Sequence, residues 1–140
     1  MTFTNSMKLT IEAKSENESF ARSVVAGFFI QLNPTLEQVE DVKTAVSEAV
    51  TNCIVHGYGG TQQGTIEIGS KLTQDTLYVE IVDYGKGIEN VEQAMRPFFT
   101  TVETGERSGM GFTVMQAFCD SVEVDSKQGQ TIVKLVKKVS

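Results

Sequence analysis

"SEAVTNCIVHGYGG", Ser47 to Gly60, is the stretch whose reading decides the fold. It reads as the end of an apolar helix that runs into a glycine cluster. Glu48, Asn52 and His56 recur at every fourth position, and residues four apart on a helix are surface neighbours. They form one polar row beside an apolar stripe of Leu36, Val39, Val42, Val46, Ala49, Val50 and Cys53. Such a row is either a solvated face or the wall of a site. Gly57, Gly59 and Gly60 end the helix. Thr35 or Asn33 can cap its start, with Pro34 tolerated in the first turn.

Working outward, "MKLTIEA" (7–13) alternates, with Met7, Leu9 and Ile11 on one face, as in a half-buried strand. Ser15 and Glu18 have capping-box spacing. Phe20, Ala21, Val24, Val25, Phe28 and Leu32 then follow at helical spacing. Downstream, "TIEIGSKL" and "TLYVEIVDYG" alternate on either side of a turn at Gln74 and Asp75, which predicts a hairpin. A short helix is expected from Val91 to Met95, then a loop over 97–108. A further helix starts near Gly109, with Met110, Val114, Met115 and Phe118 on one side. "VEVDS" and "TIVKLVKK" form a last hairpin. The order β, α, α, β, β, α, α, β, β groups helices and hairpins. It implies an α+β two-layer sandwich, a mostly antiparallel sheet covered by helices on one face.

The 140 residues make about one domain, 1–140, long enough to bury a core without disulfides or metal; residues 1–6 are expected to be flexible. No apolar run approaches a membrane span, and the start lacks the pattern of a signal peptide, so a cytoplasmic protein is expected. Net charge is −6 without a basic cluster, which argues against direct nucleic-acid binding. A small anionic ligand remains compatible, since it needs only local backbone donors. Cys53 and Cys119 lie in apolar helical patterns and read as buried free thiols.

Two glycine motifs carry the chemistry. In "TLYVEIVDYGKG" (76–87), Asp83 continues the inward row of Leu77, Val79 and Ile81. Either the strand frays there and the carboxylate turns to solvent, or the carboxylate stays inside and needs a partner. Gly85 and Gly87 follow, which lets the backbone approach a ligand closely. "ERSGMGF" (106–112) joins a loop to a helix start, where exposed amides favour phosphate and Arg107 adds charge. A flexible hinge is the alternative there. No P-loop and no G-x-G-x-x-G is present. One histidine and two cysteines cannot build a zinc set, and no G-x-S-x-G elbow supports a serine hydrolase.

Taken together, the three segments resemble the GHKL (Bergerat) ATP-binding fold of gyrase-type ATPases and histidine kinases. With "NESFAR" (17–22) and "PFFTT" (97–101), the chain is most similar to the anti-sigma-F branch, small bacterial anti-sigma factors that are also serine-protein kinases. The likeness runs from about Met7 to Lys137. It implies Glu48 as general base and Asn52 as the Mg²⁺ ligand. It implies Asp83 as acceptor of the adenine amino group, with Gly85 and Gly87 flanking the base. Thr100, Thr101 and Arg107 fall in the ATP lid, and Ser108, Gly109, Met110, Gly111 and Phe112 in its phosphate-binding end. Thr131 falls near adenine. His56 is grouped with the ATP-binding residues, beside a packing or capping role. Tyr84 stands where polar residues are usual. Arg22 is expected on a surface shared by a sigma factor and its anti-anti-sigma antagonist. ATP or ADP, Mg²⁺, these two protein partners and a homodimer are what the resemblance implies. A general-stress (sigma-B type) kinase and a nucleotide-gated sigma-binding module are the alternatives.

Overall fold

The computed structural model describes residues 2–61, 63–88, 90–96 and 111–140. Five strands form one sheet: β1 (Asn5–Glu12), β2 (Thr65–Leu72), β3 (Thr76–Asp83), β4 (Ser121–Lys127) and β5 (Gln130–Lys138). Their spatial order is β1-β2-β3-β5-β4, with every neighbouring pair antiparallel. The period-2 alternation sends Ile66, Ile68 and Leu72, Leu77, Val79 and Ile81, and Val133 and Leu135 into the core. Helices α1 (Glu16–Phe29), α2 (Leu36–Asn52) and α4 (Gly111–Phe118) pack on that face; α3 (Val91–Ala94) is a single short turn. Lys8, Thr10, Glu67, Lys71, Glu80 and Lys134 line the opposite, open face of the sheet. The expected two-layer architecture is the observed one, because one apolar face per strand needs one covering layer.

Several local expectations change. β1 starts at Asn5, inside the segment expected to be flexible; Asn5 and Ser6 pair with Leu72 and Lys71. Thr35 caps α2 with a reciprocal box: Gln38 N–H donates to Thr35 Oγ1 (3.1 Å) and Thr35 N–H to Gln38 Oε1 (2.8 Å). Asn33 instead takes a left-handed conformation after a 3₁₀ turn, and Pro34 lies before the cap, outside α2. Ser15 makes no side-chain cap, because its backbone is already helical. Leu36, counted in the apolar stripe, is 78% exposed, and Phe20 is also exposed. Leu36 is the first residue of α2, and Phe20 turns outward beside the fully buried Ala21. Phe118 is exposed too, whereas Phe112 and Met115 carry the buried side of α4. No helix among the described residues is long and apolar enough to cross a membrane.

Candidate functional site

Helix α2 does not stop at Asn52 but continues as one π turn, Cys53–Gly57, closed by the Tyr58 N–H donating to the Cys53 carbonyl at 3.0 Å. Such widened turns recur at functional sites. The extra width carries Gly57 against the end of β3. A β-carbon on Gly57 would lie 2.8 Å from Asp83 Oδ1, and one on Gly85 only 2.0 Å from the Gly57 carbonyl oxygen. Lys86 N–H donates to that same carbonyl at 3.1 Å. Gly85 is therefore glycine because the π turn occupies the space of a side chain. Gly87 is glycine because its φ is +81°.

Asp83 is 4% exposed and stays in the inward row, so the strand does not fray there. Gly85 N–H donates to its Oδ1 at 2.9 Å, and the Cys53 thiol hydrogen-bonds the same carboxylate. Burial pushes the Asp83 pKa up, and the bonds from Gly85 and Cys53 pull it partly back. Burial also pushes the Cys53 thiol well up, and the Asp83 charge adds to that. Across the ladder, Asp83 faces Thr131, which is 6% exposed. The Thr131 and Ser126 hydroxyls are 2.7 Å apart, and Ser126 Oγ accepts the Ile88 N–H at 2.7 Å. Ser126 thus docks the backbone after Gly87 onto β4.

The other half of the site is the polar row of α2. Glu48, Asn52 and His56 are all half-buried, His56 within the π turn. A β-carbon on Gly111, the first residue of α4, would lie 3.1 Å from Asn52 Nδ2, 3.3 Å from Asn52 Oδ1 and 3.4 Å from Glu48 Oε2. Glu48 and Asn52 therefore face the start of α4. The Phe112 side chain packs into the core, so at the start of α4 it has only its backbone to offer a phosphate. Thr100, Thr101, Arg107, Ser108, Gly109 and Met110 lie outside the described residues. Arg22 is on α1, away from these groups, with its Nε 3.5 Å from Glu18 Oε2 in a half-exposed i,i+4 ion pair.

The fold thus brings Glu48, Asn52, Asp83, Gly85, Gly111 and Thr131 to the two ends of the α2 extension. Cys53, Gly57, Tyr58 and Ser126 join them without having been singled out for the site. The available sequence signal was the run "HGYGG", a large aromatic set among glycines at a helix end. These residues fit a purine nucleotide. Asp83 offers a buried carboxylate in a cradle that any β-carbon at position 57 would fill, suited to an amino group on a planar base. Asn52 offers an amide oxygen suited to Mg²⁺. Among the described residues no cluster of three or more His, Cys, Asp or Glu side chains could hold a metal ion alone, so phosphate and water oxygens would complete its shell.

The chain matches the family described as histidine kinase-like ATPase domain over residues 11–137. It is 53% identical to the anti-sigma F factor of Thermoanaerobacter sp. (strain X514), covering 99% of this chain and 97% of that one. It is 50% identical to the anti-sigma F factor of Clostridium beijerinckii, covering 96% and 94%. A solved structure of the RsbU and RsbW domains of Rv1364c from Mycobacterium tuberculosis shares the fold, with a TM-score of 0.71 at 17% identity over 97% of this chain and 33% of that one. By the family match over residues 11–137 and by identities of half or more along nearly the full chain, this protein belongs to the histidine kinase-like ATPase family and, within it, to the anti-sigma F factors.

Proposed function

We propose that this protein is an ATP-dependent serine-protein kinase that also binds and inhibits a sigma factor of the sporulation sigma-F type. Its phosphorylation substrate is a serine of a small anti-anti-sigma protein, and its working form is a cytoplasmic homodimer. The observation that supports this reading best is the convergence of the Glu48 carboxylate and the Asn52 amide on Gly111, at the start of α4. A nucleotide held at Asp83 by its adenine amino group would present its phosphates toward that convergence. Asn52 would hold Mg²⁺, which supplies neutralisation of phosphate charge. Glu48, one turn before Asn52, accepts the serine hydroxyl proton while the serine oxygen bonds the γ-phosphorus and ADP leaves.

The decisive experiment is a pull-down with and without ATP, with mass spectrometry of partners and phosphosites, run on wild type and Glu48→Gln. The glutamine is isosteric but a far poorer base. It should abolish phosphate transfer while ATP and sigma-factor binding persist. Normal transfer by Glu48→Gln at saturating ATP would remove Glu48 from the base role. Binding without any phosphosite in wild type would favour a nucleotide-gated binding module instead.

A further inference from the structure

β3 ends in three successive backbone N–H groups, and each is claimed. Tyr84 N–H donates to the Tyr58 phenol oxygen at 2.8 Å, Gly85 N–H to Asp83 Oδ1 at 2.9 Å, and Lys86 N–H to the Gly57 carbonyl at 3.1 Å. Two of these three acceptors belong to the end of the π turn. Tyr58 does more than accept: its hydroxyl donates to the Thr65 carbonyl at 2.6 Å, and its own N–H closes the π turn on Cys53. Its ring lies against Gly64, where a β-carbon would come within 2.5 Å of it. One side chain thus spans the end of the α2 extension, the start of β2 and the exit of β3. The neighbouring Tyr84 turns the other way, with its hydroxyl donating to Glu67 on the open face of the sheet. Only its backbone belongs to this junction.

We propose that Tyr58 is a positioning residue for the nucleotide: its phenol oxygen, shared between Tyr84 N–H and the Thr65 carbonyl, sets the separation of the π turn from the end of β3, and with it the aim of Asp83 relative to Asn52. The two half-sites lie on different elements, α2 and β3. A base held at Asp83 and a metal-bound phosphate held at Asn52 would be two ends of one covalent ligand, so a shift between the elements would strain the contacts at one end or the other. The proposal rests on the nucleotide reading above.

The test replaces Tyr58 by Phe, which keeps the ring on Gly64 and removes only the oxygen. Two polar backbone groups lose a partner, and ATP affinity should fall about five- to tenfold. The Michaelis constant for ATP should rise by the same factor, with turnover at saturating ATP unchanged. Amide exchange at Tyr84 should quicken in the nucleotide-free variant. Tyr84→Phe, which keeps that N–H, should bind ATP like wild type. Wild-type affinity in Tyr58→Phe, or an equal loss in Tyr84→Phe, would overturn the role. So would a drop in turnover and melting temperature at unchanged Michaelis constant, since that is the signature of a merely structural pin. Should Tyr58→Phe not fold, wild type decides: bound ADP must slow exchange at Tyr84, and unchanged exchange overturns the proposal. If wild type itself fails to bind ATP or ADP, the nucleotide reading falls, whatever the exchange at Tyr84 says about the junction.

Discussion

Asp83 keeps a carboxylate where a carboxylate is costly. Because burial raises its pKa in the folded chain, the protonated form suits the fold better than the ionised one. Its stability contribution is fully present below the unfolded pKa and is lost as pH rises through the folded one. Ionised Asp83 therefore works against folding, and on the proposed reading its charge serves to accept a hydrogen bond from the adenine amino group. Asp83→Asn should hold or raise the nucleotide-free melting temperature at pH 7, while ATP affinity falls by about 1–3 kcal/mol. Wild-type ATP affinity should decline on acidification from a higher pH than an ordinary carboxylate would give, and the Asn variant should lack that decline. Calorimetry across pH checks both; unchanged affinity in the variant would take Asp83 out of the base's contacts. The inward position of Asp83 was legible from simple alternation. The roles of Cys53, Gly57 and Tyr58 were not, because a π turn leaves no mark in a 3.6-residue pattern yet rotates every residue after it.

At the level of elements, the two helix starts make an instructive pair. Ser15 to Glu18 and Thr35 to Gln38 both have the capping-box spacing. Thr35 is extended, with φ −71° and ψ 162°, and its box closes; Ser15 is helical, and its box stays open. The Glu18 side chain faces Arg22 instead. Thr35→Ala should therefore lower stability by about 1 kcal/mol, whereas Ser15→Ala should change it little. Urea denaturation of the two variants separates them, and equal losses would contradict the cap geometry. Element type and order could be read from periodicity because alternation and helical spacing are strong along most of the chain. The exposure of Leu36 and Phe20 could not. Periodicity names the face of a helix that turns inward, but not which residues at the margin of that face or at the helix end stay in solvent.

For the molecule as a whole, the site uses α2, the end of β3, β5 and the start of α4, while Arg22 lies on α1. A charge change there has no short route to the nucleotide. The Arg22–Glu18 pair contributes about 0.2–0.5 kcal/mol, as other exposed i,i+4 pairs do. Arg22→Glu should leave ATP affinity and melting temperature nearly intact while weakening both the sigma factor and its antagonist, if the two share that face. Binding of both partners at wild-type strength, measured by titration, would place the shared surface elsewhere.

The strand order has its own consequence in time. The β2–β3 and β4–β5 hairpins join neighbours in the chain, but β1 reaches β2 only across α1 and α2, and β3 reaches β5 only across α3, α4 and β4. Closing those long excursions costs more chain entropy than closing a hairpin, and such pairings come late in folding. Asp83 meets Thr131 only in the second of them. A nucleotide at that corner would grip a contact that the folding barrier has yet to make, so it would slow the molecule's opening and leave the rate of its closing almost untouched.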